Sequence, residues 1–324
     1  MLNQDGKLWK VNPDGLDDKT LFTTLQPGLD NMTFDDDGTL YMTNNDEGWV
    51  AEILPNGRAR YISPGGMILP QGLAVMQGPN NQDMLFEADL FRLRQFNGTS
   101  GKQENLYKGF LINPTFELPI LPMNISAAGD KLVVSSWFSG AVQLWDVTTN
   151  PATVVTGNTF VLPVPIDAVQ INGDIIVSDF ELGGVVNASN GNTMIKELDA
   201  ASGLATDGLK LYAADHGTGD IWEIGFNPPS ETFIANVDQP EGLALDNEGR
   251  LLVVETGTSS LLRIDLRNGV GVTTLAQGLD LFGPGLGSPP TWGFDGVAVG
   301  PSGDIYLSGA GATVVYKITA NKVR

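Results

Sequence analysis

Residues 239–266, QPEGLALDNEGRLLVVETGTSSLLRIDL, contain three short apolar runs separated by tight turns. The first run begins at an acid, Glu241, and the second stops at another acid, Glu255. Short apolar runs bounded by Gly, Asn, Asp and Ser are typical of β-strands rather than helices. The stretch therefore predicts a meander of antiparallel strands with carboxylates at the strand ends.

The same pattern recurs along the chain, and the seven repeats begin at Leu29, Gln71, Met123, Ile166, Ser202, Glu241 and Asp295. Most repeats continue into a third and a fourth run, at a period of about 36 to 54 residues. Four short strands per repeat with Gly-rich turns predict an all-β protein, a β-propeller of four-stranded blades. We expect a single domain over residues 1–324 with seven blades, and six blades as the alternative.

In a closed ring of four-stranded blades, the last blade also needs a fourth strand. The last repeat ends after its third run, TVVYKI, whereas the N-terminal run KTLFTTL lacks inner strands of its own. We therefore expect KTLFTTL to complete the final blade and remove its free edge. The run GKLWKV does not fit this scheme and keeps the six-bladed alternative open.

Two connections between repeats are unusually long, at residues 107–122 and 279–294. Both are rich in Leu, Pro and aromatic residues, and long loops on a rigid scaffold are often functional. Because the strands of a blade alternate in direction, these loops lie on the same face as the starts of the first strands. We expect them to form apolar flaps beside the mouth of a central channel.

Composition excludes several classes of function. The net charge of −20 disfavours nucleic acid and anionic membranes as partners. The absence of cysteine excludes disulfides, zinc–thiolate sites and a cysteine nucleophile. The N-terminus shows no signal-peptide pattern and no apolar run is long enough to cross a membrane, so we expect a soluble monomer whose compartment stays open.

Polar residues converge at the predicted mouth of the channel, from the starts of the first strands and from the turns after the second strands. Crowded carboxylates repel one another unless they take up protons or a cation. Oxygen ligands from Asp, Glu, Asn and Gln suit calcium, although another divalent cation is also compatible. The alternative is that these side chains only satisfy the backbone of turns, as Asp and Asn commonly do.

Other residues at this mouth indicate a substrate pocket. His216 is the only histidine, and it can serve there as a base or as a surface turn residue. The candidate pocket residues are Trp137, Phe138, Trp292, Phe294, Asp30 and Asn31. The aromatic members can equally pack between blades.

The recurring pattern, as in PEGLALDNEGRLLVVE, resembles the calcium-dependent propellers of the senescence-marker-protein/gluconolactonase group. It is similar more loosely to paraoxonases, strictosidine-synthase-like proteins, NHL repeats and virginiamycin B lyase. The resemblance implies metal ligation by the acid or amide before the Gly of a first strand. The matching positions are Glu241, Asp295 and Gln71, with Asn124 and Asp167 offset by one residue.

These features predict a calcium-dependent hydrolase that acts on a small lactone or other carboxylic ester with an apolar part. Asp167 or Asp295 would act as general base, with His216 as a further catalytic candidate. The first alternative is a non-catalytic propeller that binds a peptide, glycan or protein at the same mouth. The second is a lyase, although the histidine expected for virginiamycin B lyase is absent from every first-strand start.

Overall fold

The fold was analysed in a computed structural model, which describes residues 1–15, 18–90, 92–108, 120–149, 152–226, 229–267, 271–281 and 289–319. The chain divides into two compact units, Met1–Ile68 and Leu69–Arg324. The predicted insertion at 107–122 falls largely outside the described residues, and that at 279–294 falls partly outside them. Within the described residues, no helix is long and apolar enough to cross a membrane.

The first unit contains a hairpin and a four-stranded sheet. The hairpin is β1 (Lys7–Val11) and β2 (Lys19–Thr24), and the sheet is β3 (Leu29–Phe34), β4 (Leu40–Asn44), β5 (Val50–Ile53) and β6 (Ala59–Ser63). Leu8 packs with Leu29, Met42 and Trp49 in the core of this unit. The expectation that β2 completes the final blade was wrong: β2 pairs with β1, the strand that precedes it in the sequence.

The second unit contains six antiparallel sheets, five with four strands and the last with three among the described residues. The first three are β7 (Pro70–Gln77), β8 (Asp83–Asp89), β9 (Arg92–Asn97) and β10 (Gln103–Lys108); β11 (Asn124–Ala128), β12 (Lys131–Ser136), β13 (Ala141–Asp146) and β14 (Thr153–Val161); and β15 (Pro165–Ile171), β16 (Asp174–Asp179), β17 (Gly184–Asn187) and β18 (Asn192–Lys196). The last three are β19 (Ala201–Thr206), β20 (Leu211–Asp215), β21 (Asp220–Phe226) and β22 (Pro229–Asn236); β23 (Pro240–Leu245), β24 (Leu251–Glu255), β25 (Ser260–Asp265) and β26 (Gly271–Gln277); and β27 (Val297–Val299), β28 (Ile305–Gly309) and β29 (Val314–Ile318). A single 3₁₀ turn among the described residues, Pro79–Asn81, joins β7 to β8.

The first strands of these six sheets form a closed ring. Each contacts the first strand of the next sheet, and β27 and β28 return to contact β7. A cavity of about 190 Å³ lies along the axis, lined by side chains of all six first strands, mostly Leu, Val and Ala. The all-β propeller fold predicted from the sequence is thus confirmed, and the repeats appear as seven blade-like sheets, one in the first unit and six in this ring.

Backbone hydrogen bonds and glycines hold the inner strands of the ring together. The amide of Gly242 donates to the Asp295 carbonyl at 3.2 Å, and that of Gly296 donates to the Gln71 carbonyl at 3.1 Å. A Cβ atom on Gly242 would lie 2.6 Å from the Asp295 carbonyl oxygen, and one on Gly296 would lie 2.8 Å from that of Gln71. Glycine therefore recurs after the polar residue at the start of a first strand because the neighbouring backbone leaves no room for a side chain.

Candidate functional site

The candidate site lies in the second unit, where the first strands of the six sheets begin. Six polar side chains from five sheets meet the ring there, each no more than 5% exposed: Gln71, Glu87, Asn124, Asp167, Glu241 and Asp295. We call these residues the inner polar set. Burial of so many charged or amide groups is unfavourable unless hydrogen bonds, opposite charges, a proton or a ligand compensate.

Strand register explains why two members of the set are offset by one residue. In β7 and β23, the residue after the glycine pairs with the second strand, as Leu73 does with Glu87. In β15, Ala168 occupies that position, so Asp167 stands where the other strands have glycine. The structure therefore supports the one-residue offset read from the repeats.

Asp167 connects two neighbouring sheets. Its Oδ1 accepts the Ala168 amide at 2.7 Å, and its Oδ2 accepts the Leu204 amide of β19 at 2.7 Å. Burial raises the pKa of the Asp167 carboxyl to about 7, although the two amides lower it in part. A carboxylate that titrates near neutral pH can act as a base, but both oxygens of Asp167 already accept hydrogen bonds from backbone amides.

Glu241 and Asp295 form a close pair on adjacent sheets. The Asp295 amide donates to Glu241 Oε2 at 2.8 Å, and Asp295 Oδ1 accepts the Ala310 amide at 3.0 Å. Burial, followed by the negative charge of Asp295, raises the pKa of Glu241 well above its usual range. The pair is a place where a proton or a cation would be held.

Glu87 is the member of the set that the sequence placed only among the turns after the second strands, and not among the candidate ligands. It is completely buried, and both of its carboxylate oxygens have no hydrogen-bond partner. Burial raises the pKa of Glu87 well above its usual range, and the charges of Asp89 and Asp295 raise it further. The nearby Gln71 backbone amide, which does not meet hydrogen-bond geometry, and the charge of Arg94 lower it. The sequence signal was a charged residue inside the apolar run MLFEAD, at a position where β16, β20 and β24 carry Val or Ala.

His216 lies beside Glu241. Its Nδ1 is 3.9 Å from Glu241 Oε1 and has no hydrogen-bond partner. Burial lowers the pKa of His216, although the Pro240 carbonyl and the charges of Asp215 and Asp238 oppose this shift. The imidazole is therefore neutral at pH 7 and can accept a proton.

Further buried polar atoms without partners lie in the same unit. They are Gln71 Oε1 and Nε2, Asn124 Nδ2, Trp137 Nε1 and Thr291 Oγ1. Thr291, which the sequence did not single out, precedes Asp295 by one turn and has no signal beyond its place in the 279–294 connection. These atoms supply hydrogen-bond donors as well as acceptors for a ligand.

The other predicted pocket residues are divided between the two units. Phe294 is buried, Trp292 is partly buried, and Phe138 is 58% exposed and packs edge-to-face on Trp137. Asp30 and Asn31 lie in the first unit, on exposed positions of β3. The structure therefore brings the aromatic residues, but not Asp30 and Asn31, into the unit that holds the inner polar set.

The turn residues form a second group with a different role. Asp89, Asp179, Asp215 and Glu255 end the second strands of their sheets, and we call them the turn carboxylates. Asp215 accepts four backbone amides, from Asp199, Ala200, Gly217 and Thr218. Asp179 accepts hydrogen bonds from two backbone amides. Asp89 accepts a hydrogen bond from the Leu69 amide and forms an ion pair with Arg94 at 2.6 Å.

The chemistry of the inner polar set fits a hard cation such as calcium. The unpartnered oxygens of Glu87 and Gln71 and the adjacent Asp295–Glu241 pair are the oxygen ligands that calcium prefers. Among the described residues, no three acidic or histidine side chains already converge as a metal centre. Asp167 fits this role least, since backbone amides occupy both of its oxygens.

Comparisons with known proteins give the class of fold. No protein-family model and no curated protein matches the chain. A Bacteroides thetaiotaomicron protein of unknown function is similar in structure, with 14% identity, a TM-score of 0.54 and coverage of 96% of this chain and 89% of that one. A streptogramin B lyase follows, with 13% identity, a TM-score of 0.51 and coverage of 90% and 92%.

A virginiamycin B lyase from Staphylococcus aureus, solved with quinupristin, is also similar, with 14% identity, a TM-score of 0.50 and coverage of 79% of this chain and 83% of that one. At these identities the likeness defines the fold alone, so this chain is a β-propeller protein. Membership of the senescence-marker-protein/gluconolactonase group stays a prediction.

Proposed function

We propose that this protein is a calcium-dependent hydrolase of a small lactone or other carboxylic ester, with its active site at the inner polar set. The observation that carries the proposal is the group of buried polar atoms without partners on Gln71, Glu87, Asn124, Trp137 and His216. A buried polar atom that lacks a hydrogen bond destabilises a fold by about 1–3 kcal/mol. A site that keeps several unpartnered polar atoms at this cost in stability is adapted to bind a ligand.

Burial of the inner polar set favours a small ligand over a peptide, glycan or protein partner. Its members are between 0% and 5% exposed, so a large partner cannot reach them by surface contact. Phe294 and the partly buried Trp292 supply apolar surface close to Asp295, which suits the apolar part of an ester.

Gln71, Glu87, Glu241 and Asp295 would hold the calcium ion. When bound, such an ion polarises an ester carbonyl and lowers the pKa of a water molecule. The positive ion would offset the cost of burying the negative charges of Glu87 and Glu241.

The remaining residues of the site have roles in positioning and proton transfer. His216 Nδ1 accepts the proton of the attacking water, because the imidazole is neutral and this nitrogen has no hydrogen-bond partner. Glu241, 3.9 Å away, stabilises the imidazolium that forms. Trp137 Nε1 donates a hydrogen bond to an ester oxygen. Asp167 orders the start of β15 against β19 and is the second candidate for the base.

The experiment measures hydrolysis of short p-nitrophenyl esters and γ-lactones with chelator and with added calcium. We expect activity that chelator removes and calcium restores. Glu241→Gln should lower kcat at least 100-fold while the protein stays folded, because the Gln oxygen can still accept the Asp295 amide and its NH₂ can donate to His216. Asp30→Asn in the first unit is the matched control. Full activity of Glu241→Gln, or of the chelated enzyme, would contradict the proposal.

A lyase reaction is the second candidate, and the buried neutral imidazole of His216 is the observation that favours it. The same base could remove a proton from carbon and release a leaving group by elimination. Turnover in ¹⁸O-labelled water separates the two reactions. Hydrolysis incorporates the label into the acid, whereas elimination gives an unlabelled product with a new double bond.

A further inference from the structure

A second cavity lies in the last two sheets of the ring, at the end opposite the inner polar set. It has a volume of about 380 Å³ and is lined by the turn after β23, the turn after β27 and parts of β25, β26, β28 and β29. First strands begin at the inner polar set and end at these turns, so the two sites are at opposite ends of the same strands. The cavity plays no part in the proposed function.

The two arginines at this cavity differ in whether an acidic partner compensates their charge. Arg250 is paired with Asp246 at 2.6 Å and with Glu248 at 2.9 Å, so its positive charge is compensated. Arg263 also lines the cavity and is partly buried, but across the described residues it makes no hydrogen bond or ion pair. In a chain of net charge −20, a partly buried guanidinium without an acidic partner is an exception.

Apolar side chains form another part of the wall. Leu275, Ile305 and Ile318 line the same cavity and come from β26, β28 and β29. A ligand that matches both the Arg263 guanidinium and this apolar wall has an anionic head and a short apolar tail. Guanidinium groups bind carboxylates through two parallel hydrogen bonds, and each buried methylene of the tail adds affinity.

We propose that this cavity binds an organic carboxylate, with its head group on Arg263 and its aliphatic tail against Leu275, Ile305 and Ile318. Asp246 and Glu248 already neutralise Arg250, and they repel a second negative charge at that position. The free guanidinium therefore selects the position of the head group. The carboxylate group distinguishes the ligand from a neutral apolar molecule of the same size.

Hexanoate is the probe, and hexanamide, its uncharged counterpart of similar size, is the control ligand. Binding to the intact protein is followed by thermal shift and by calorimetry, with sodium chloride added to equal ionic strength. Saturating hexanoate should raise Tm by about 2 °C, and hexanamide should raise it less. Added salt should weaken hexanoate binding, because it screens the partly exposed guanidinium.

Arg263→Gln is the test variant and Arg60→Gln the matched control, since Arg60 is 64% exposed, belongs to the first unit and is outside the lining. We expect Arg263→Gln to weaken hexanoate binding at least tenfold and Arg60→Gln to leave it unchanged. Absence of hexanoate binding to the wild-type protein, equal binding of hexanamide, or unchanged binding to Arg263→Gln would each overturn the proposal. The wild-type measurements alone decide it if Arg263→Gln does not fold.

Discussion

Glu87 in the inner polar set and Asp215 among the turn carboxylates carry the same functional group, yet the structure uses them differently. Asp215, a turn carboxylate, accepts four backbone amides, whereas Glu87, in the inner polar set, has two oxygens without any partner. Both are buried. The difference shows that hydrogen-bond satisfaction, rather than residue type or burial, separates acids that support the fold from acids that are available to a ligand.

The largest effect that this comparison predicts is on a turn carboxylate. Asp215→Ala removes the acceptor of four amides, so we expect the free energy of unfolding to fall by about 3 kcal/mol or more. Urea unfolding followed by tryptophan fluorescence measures it. Asp130→Ala, at a 70% exposed aspartate, is the control and should change stability little. A loss below that of the control would remove the distinction between the two groups.

The next effect is on pH dependence without a bound cation. The Asp167 carboxyl keeps its proton up to a pKa of about 7 in the folded protein, whereas the unfolded chain releases it in the ordinary carboxyl range. Its contribution is complete at low pH and is lost as pH rises through about 7, so stability should fall by about 2 kcal/mol or more between pH 4.5 and 8 in chelator. The raised pKa values of Glu87 and Glu241 act in the same direction.

Urea unfolding across this pH range measures the slope, and calcium should make it shallower because a cation stabilises the ionised acids. Glu87→Gln, measured in parallel, separates the buried acids from general surface repulsion and should reduce the slope. Stability that rises with pH over this window would contradict the assignment of raised pKa values.

A smaller effect is expected from Glu87→Gln at a single pH. At pH 8 in chelator, replacement of a buried carboxyl whose ionisation burial disfavours should raise the free energy of unfolding by about 1 kcal/mol. The same change should weaken calcium binding about tenfold or more, measured as the calcium-dependent rise in Tm. A stabilised variant with undiminished calcium binding would show that Glu87 holds no cation.

The smallest effect is predicted for Asp30→Asn. Asp30 is an exposed residue of β3 in the first unit, so stability should change by less than about 0.5 kcal/mol. Its calcium affinity should equal that of the wild type. A large loss of calcium binding would mean that the site extends beyond the inner polar set.

The sequence predicted the repeats and the converging starts of the first strands because both leave local patterns. Glycines 242 and 296 and the strand turns, such as DNEG, are visible without coordinates. The pairing of β2 could not be predicted in the same way, because an apolar run does not specify its partner. Its pairing with β1 follows from proximity along the chain.

The candidate site was only partly predictable for a related reason. Gln71, Asp295 and Glu241 follow from the repeat, but whether an oxygen is free depends on which amide of a neighbouring sheet faces it. The Leu204 amide that occupies Asp167 comes from 37 residues further along the chain. Glu87 was hidden because its importance lies in the absence of a partner, which only the structure of the described residues shows.

The contacts that close the ring have a consequence for how the chain folds during synthesis. Ser308 Oγ donates to the Gln71 carbonyl across 237 positions of sequence, and Asp83 accepts a hydrogen bond from Ser302 across 219. During synthesis on the ribosome, β7 and β8 therefore cannot form these contacts until residues 302–308 have been made. Such long-range pairing slows folding and lengthens the time for which strand edges are open to aggregation.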